Sequence, residues 1–198
     1  MPYITIHHKK LFRMFRDKNI AVVGNAISLY DKNYGEVIDT NDIVVRFNLG
    51  LTHNSNTTHG SKTDWLIYNN DVFARSVNLF DSKQHLNWMQ IYFMHDSSPV
   101  SHNVYTIPEF VQESLFTKGN FTRSNKPSIG LSFVNFLTYV DAKQVNIFGF
   151  DHKQSLTFYN TNRKRKKDLR GKGHDWLKEQ TFLTDTILKT HSNFNIHR

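Results

Sequence analysis

Short apolar runs rich in Val, Ile and aromatic residues recur along the chain, at residues 20–23, 43–47, 65–68, 89–94, 104–107 and 145–148. Each fits a strand buried on both faces. Helix-like stretches separate several of them. In 128–141, Leu131, Val134, Leu137 and Val140 recur at a spacing of three, and in 175–190 Trp176, Leu183 and Ile187 fall on one stripe. Strands that alternate with helices predict an α/β sandwich: a single Rossmann-like domain over residues 1–198, with a mostly parallel sheet flanked by helices. In such sheets ligands bind beyond the carboxyl ends of the strands. Gly24-Asn25 and Gly149-Phe150-Asp151 stand at such ends.

The chain's 198 residues suffice for one sizeable core and are few for two. No segment approaches the roughly 20 apolar residues of a membrane span. The basic start, MPYITIHHKKLFRMFRDKN, lacks the apolar stretch of a secretory signal. With no cysteine, disulfides and thiolate metal sites are excluded, which fits a reducing compartment and makes the cytoplasm the expected location. A formal charge of +8 implies attraction to anions: nucleic acid, an anionic membrane surface met peripherally, or a negatively charged substrate. Much of the excess lies in NRKRKKDLRGKGH, whose run 163–167 reads as a solvated loop, a nucleic-acid patch or an arm over an anionic site.

The turn after the first strand carries a single glycine, and no G-x-G-x-x-G occurs anywhere, so a dinucleotide fingerprint is absent. Gly24 lets the backbone approach a ligand closely, and Asn25 offers donors and an acceptor. The plainer reading is a strand-to-helix turn with an Asn cap. Arg46 and Asn48 project to one face of the second strand by alternation, lining a phosphate or sugar site or ending a strand in solvent. Pro127-Ser128-Ile129-Gly130 opens a helix whose Ser128 can cap it and whose first N–H groups form a cradle for an anion or carbonyl. His174 precedes an N-cap, Asp175, where positive partial charge suits the neutral imidazole of a general base. Glu179 lies five residues on, off its helical face, so a simple surface pair is not expected. No D-x-D occurs and the histidines lack metal-ligand spacing, so no metal is expected.

Individually these signals are weak; their order is specific. AVVGN, VVRFN, GSKT, PSIG…VNIFGF and His174-x-x-x-x-Glu179 together resemble the large, small and very small sialyl motifs of the animal-type sialyltransferases, over residues 20 to 179. The resemblance implies a variant GT-A fold and an inverting glycosyltransferase. Such an enzyme moves sialic acid, or a related acidic sugar such as Kdo, from a CMP-sugar co-substrate to a glycan acceptor without a metal or other cofactor. It assigns Gly24, Asn25, Arg46 and Asn48 to the nucleotide phosphate and ribose. Ser128, Ile129 and Gly130 hold the cytidine, and Tyr159 serves the phosphate, although TFYN departs from the family's aromatic motif. His174 is the base and Glu179 its structural support. The family joins its large and small motifs by a disulfide, and Ile20 and a position near Val140 stand in its place. Set against that resemblance, the family's stem and membrane anchor are expected to be absent here.

Other classes stay open at this point. A phosphotransferase on a similar sheet lacks its P-loop. A basic nucleic-acid-binding module would use residues 163–167, and a catalytically inactive relative would keep the motifs without turnover.

Overall fold

Residues 19–23 read Asn-Ile-Ala-Val-Val, and the side chains after the first are buried on both faces. In the computed structural model, which describes residues 6–52, 56–69, 86–91, 105–122, 124–152, 154–155, 157 and 173–198, this segment lies inside a seven-stranded sheet. The strands are β1 (Asn19–Val23), β2 (Ile43–Phe47), β3 (Trp65–Tyr68), β4 (Asn87–Gln90), β5 (Tyr105–Thr106), β6 (Gln144–Phe148) and β7 (Phe194–His197). Their order is β5-β4-β3-β2-β1-β6-β7, and every pairing is parallel. Parallel neighbours cannot be joined by a tight hairpin, so the chain crosses over the faces between strands.

Alternation along β1 divides the core. Ile20 and Val22 join the larger apolar cluster, while Ala21 and Val23 join a smaller one on the opposite face. The larger face is covered by α1 (Ile6–Phe15), α4 (Glu109–Lys118) and α5 (Ile129–Leu137) through Leu11, Phe15, Val111, Leu115, Phe133 and Phe136. Phe15, fully buried, packs at ring-centroid distances of 4.9 Å from Trp65, 5.6 Å from Phe133 and 5.7 Å from Phe136. The smaller face carries Leu29 from a 3-10 turn (Ile27–Asp31) and Ile38 from α2 (Gly35–Asp39). Ile20 and Val140, where the resemblance puts a disulfide in relatives, are both buried in the larger apolar cluster.

The Rossmann-like α/β architecture expected from the sequence is the one observed, with differences at the edges. The run at 89–94 pairs as β4 two residues earlier, and the run at 104–107 shortens to two paired residues. β7 was not among the expected strands, because Phe-Asn-Ile-His is an edge strand with three half-buried positions and no continuous apolar run. The stretch 175–190 is helical but irregular: α6 (Trp176–Thr181) passes into a π-helical segment (Phe182–Ile187) and then α7 (Leu188–Thr190). A short helix, α3 (Asn56–His59), follows β2.

This strand order places the site. From β1 the chain builds outward to β5, then returns to lay β6 on the other side of β1. The carboxyl ends of β1 and β6 therefore flank the point where connections leave in opposite directions, which opens a crevice between them.

Candidate active site

Two glycines meet at that crevice. Gly24 leaves β1 and donates its N–H to the carbonyl of Phe148 at 2.7 Å, extending the ladder by one step. A Cβ on Gly24 would lie 2.3 Å from the carbonyl oxygen of Gly149, and Gly149 itself has φ +65°. Only glycine permits so close an approach of two backbones, so the glycine that the sequence offers as a ligand-approach residue also seals β1 against β6.

Asn25 follows at the mouth. Its amide donates to the carbonyl of Phe47 at 3.1 Å, fastening the end of β1 to the end of β2, while its Oδ1 is buried with no hydrogen-bond partner among the described residues. A buried acceptor in that condition costs about 1–3 kcal/mol, so it marks a place that a donor would satisfy.

Arg46 and Asn48 diverge. Arg46 is only 4% exposed and its guanidinium points into the protein. Its Nε donates to Thr63 Oγ1 at 2.9 Å and Lys62 O at 3.2 Å, and its Nη2 to His59 O at 2.7 Å and Lys62 O at 3.0 Å. Burial pulls its pKa down to about 10, with Asp39 acting in the opposite direction, so it remains a cation at neutral pH. The GSKT turn is thus gripped from behind by Arg46 and from the side by Asp39, which accepts from the N–H groups of Ser61 and Lys62. Strand alternation stops at Phe47. Asn48 has φ +50°, and its Oδ1 accepts from the amide of Asn69 at 3.3 Å, tying the end of β2 to the end of β3.

Across the crevice, Ser128 caps α5, its Oγ accepting from Leu131 N at 3.2 Å. Ile129 and Gly130 come next, and their amides precede any intrahelical acceptor. Sequence reasoning missed Phe150 as the spacer between the motifs. A Cβ on Gly24 would sit 2.9 Å from its ring and one on Gly130 3.0 Å, and its ring lies 6.0 Å from that of Phe47. One aromatic plate thus sets the distance between the Gly-Asn turn and the start of α5.

Ser128 also leads to the histidine. Glu179, 2% exposed, accepts from Ser128 N at 2.7 Å and from Ser128 Oγ at 2.6 Å. Its Oε1 lies 3.6 Å from Nδ1 of His174. The pair lies off a common helical face because His174 precedes the helix, whose N-cap Asp175 accepts from Lys178 N at 3.1 Å. His174 Nδ1 is 2.8 Å from the carbonyl oxygen of Lys126. A carbonyl only accepts, so Nδ1 carries the proton and the ring's lone pair is on Nε2. Burial raises the Glu179 carboxyl to about 7, and nearby Asp175 adds to the rise while the two Ser128 bonds oppose it. The structure thus brings Ser128, Glu179 and His174 into one linked group. Tyr159 and the run 163–167 lie outside the described residues.

A parallel doubly wound sheet with a glycine-sealed switch crevice, a helix N-terminus on one wall and a tautomer-fixed histidine nearby is the architecture of the sialyltransferase-type glycosyltransferases. The chain belongs to glycosyltransferase family 29 (sialyltransferase), whose model matches residues 5–190. Among solved structures it is similar to a mammalian sialyltransferase in complex with Gal-beta-1-3GalNAc-ortho-nitrophenol. That match has a TM-score of 0.66 at 20% identity and covers 98% of this chain and 74% of that one. It is also similar to the sialyltransferase CstII from Campylobacter jejuni in complex with CMP-3FNeuAc, with a TM-score of 0.60 at 14% identity, over 90% of this chain and 81% of that one. A form of CST-II with a trisaccharide acceptor and CMP matches at 0.58 and 18%, covering 85% and 77%. A search of curated proteins found no match.

Proposed function

We propose that the protein transfers sialic acid, or a related acidic sugar such as Kdo, from its CMP ester to a hydroxyl of a glycan, with inversion at the anomeric carbon and without a metal. The observation that carries this reading is the Ser128–Glu179–His174 linkage, which couples the wall of a nucleotide crevice to a histidine with its lone pair on Nε2. Relatives with bound CMP or acceptor saccharide support the choice of donor and acceptor.

In this reading Asn25 Oδ1 receives a donor from the nucleotide, the amides of Ile129 and Gly130 hold the cytidine, and Asn48 meets the phosphate and ribose. Arg46 serves indirectly, by holding the GSKT turn beside them. The anomeric carbon's bond to the phosphate oxygen breaks, and CMP leaves with the electron pair. The acceptor oxygen attacks from the opposite face and gives its proton to His174 Nε2. As the imidazole becomes a cation, the Glu179 carboxylate 3.6 Å from Nδ1 stabilises it. Helix-terminal amides stabilise charge on the departing phosphate.

The test is CMP release from CMP-sialic acid and from CMP-Kdo over a panel of glycan acceptors in EDTA. Acceptor-dependent release with either donor supports the proposal; release that needs added magnesium or manganese removes its metal-independent part. No release with any acceptor, despite CMP binding, would leave the chain a non-catalytic member of its family.

A further inference from the structure

The opposite pole of the sheet carries a second feature that the transfer reaction does not use. α1 ends beside the starts of β1 and β6, where Asp17 N donates to Asp141 O and Lys143 N to Lys18 O. α5 runs away from Ser128 and ends at Leu137 against the same corner. Between them lies a groove of about 480 Å³. Phe12, Phe110, Tyr139 and Val140 form its apolar part, and Lys9, Arg13 and Arg16 its cationic rim.

Lys9 and Arg13 are spaced i, i+4 and share one face of α1, and Arg16 follows in the turn just past its end. Arg16 meets Asp141 at 3.6 Å across the groove mouth. Lys9 and Arg13 form no ion pair among the described residues, and both are exposed, as is Lys10. Lys118 extends the charge on the far side, 5.4 Å from the Tyr139 ring centroid. The apolar face of α1 is already spent on the core, with Leu11 and Phe15 buried.

We propose that this corner docks the protein peripherally on an anionic phospholipid bilayer, with phosphate headgroups on Lys9, Arg13 and Lys118. A row of cations beside an aromatic and aliphatic groove suits a surface that is anionic outside and apolar beneath. Nucleic acid fits less well. Single-strand binding needs ring faces aligned for successive bases to stack on, and these rings are turned against one another: Phe110 lies edge-on to Tyr139 at 5.6 Å and 82°, and Phe12 is tilted by 40° to Phe136 at 5.4 Å. Because the groove and the crevice stand at opposite ends of α5, docking here turns the crevice away from the bilayer, toward acceptors reaching in from solution.

The experiment is co-flotation of the full chain with phosphatidylcholine vesicles and with equimolar phosphatidylcholine–phosphatidylglycerol vesicles over a salt series. Binding is expected only to the anionic vesicles, weakening as salt rises. Lys9→Ala and Arg13→Ala should each weaken it about fivefold, the factor that about 1 kcal/mol per cation represents. CMP affinity and the melting temperature, which report the fold, should be unchanged. An alanine variant of residues 163–167 separates the two basic regions: if vesicle binding follows that run and ignores Lys9 and Arg13, the proposal is overturned. Equal binding to neutral vesicles overturns it too. So does competition by glycerol phosphate alone at the vesicle's phosphate concentration, which would make this a small-anion site, or oligonucleotide binding with the same residue dependence and none to vesicles. Should the alanine variants fail to fold, Lys9→Gln and Arg13→Gln, which keep much of the side chain's apolar stem without its charge, are read in the same way.

Discussion

Glu179 answers to two neighbours, and substitutions separate its duties. Its carboxyl is raised from 4.5 to about 7 chiefly by burial. A carboxyl raised on folding binds more protons folded than unfolded, so the wild type loses stability as pH climbs from about 4.5 toward 7. Glu179→Gln lacks that titration. The difference in unfolding free energy between wild type and Glu179→Gln should therefore shift by up to roughly 3 kcal/mol across this window, in favour of Gln at the upper end. Denaturant titrations at several pH values read it directly, and a flat difference would contradict the burial argument. His174→Ala should behave otherwise. It should lower kcat by about 10²–10⁴ and leave CMP affinity nearly unchanged, because a base touches the acceptor hydroxyl rather than the nucleotide. Near wild-type turnover on a verified acceptor would remove His174 from the mechanism. Asn25→Ala should do the reverse, raising the dissociation constant for CMP first in a calorimetric titration, since the buried Oδ1 is lost.

At the scale of elements, the crevice depends on a backbone contact rather than on a side chain. Gly24→Ala would press a methyl group against the Gly149 carbonyl and the Phe150 ring. We expect a loss of roughly 1–3 kcal/mol in stability, the range for overpacking, together with weakened CMP binding because the seam would widen. Thermal melting with and without CMP checks both parts. The same contact shows what was legible beforehand. Strands β1 and β3 were readable because both-face burial leaves uninterrupted apolar runs, β2 and β6 because a single polar residue, Arg46 or Asn146, breaks an otherwise apolar run, and α5 because its spacing keeps one stripe. β7 was not, because an edge strand with polar Asn195 and His197 carries no such run. His174 and Glu179 could be singled out, yet nothing local says that Glu179 reaches back 51 residues to Ser128. The inward turn of Arg46 was hidden likewise. Alternation gives a face but not whether that face meets solvent or a loop, and here His59, Lys62 and Thr63 close over it. Phe150 stood in view as part of Gly-Phe, but its work as a spacer needs both glycines in place.

For the whole molecule, a ligand seated between β1 and β6 links the outward-built half of the sheet to the returning half. CMP at a hundredfold excess over its dissociation constant should stabilise the fold by about 2.7 kcal/mol, and a chelator should not diminish this. Differential scanning fluorimetry in EDTA tests it; stabilisation that appears only with magnesium would require a metal in the nucleotide site.

The strand order also sets a timetable for synthesis. Among the described strands, residues 19–23 are made first, and β2 soon covers one of their edges, but the other waits for residues 144–148. At roughly 5–20 residues per second, that wait is on the order of 6–24 s. During it an apolar strand edge stands open to wrong partners, and pairings so distant along the chain are slow to form even afterwards. Nascent chains arrested before residue 144 should therefore aggregate or bind chaperones, whereas chains that carry β1 through β7 should not. Added CMP should raise the final yield of refolding without hastening its early phase, since the crevice proposed to seat it is not complete until β6 has paired with β1.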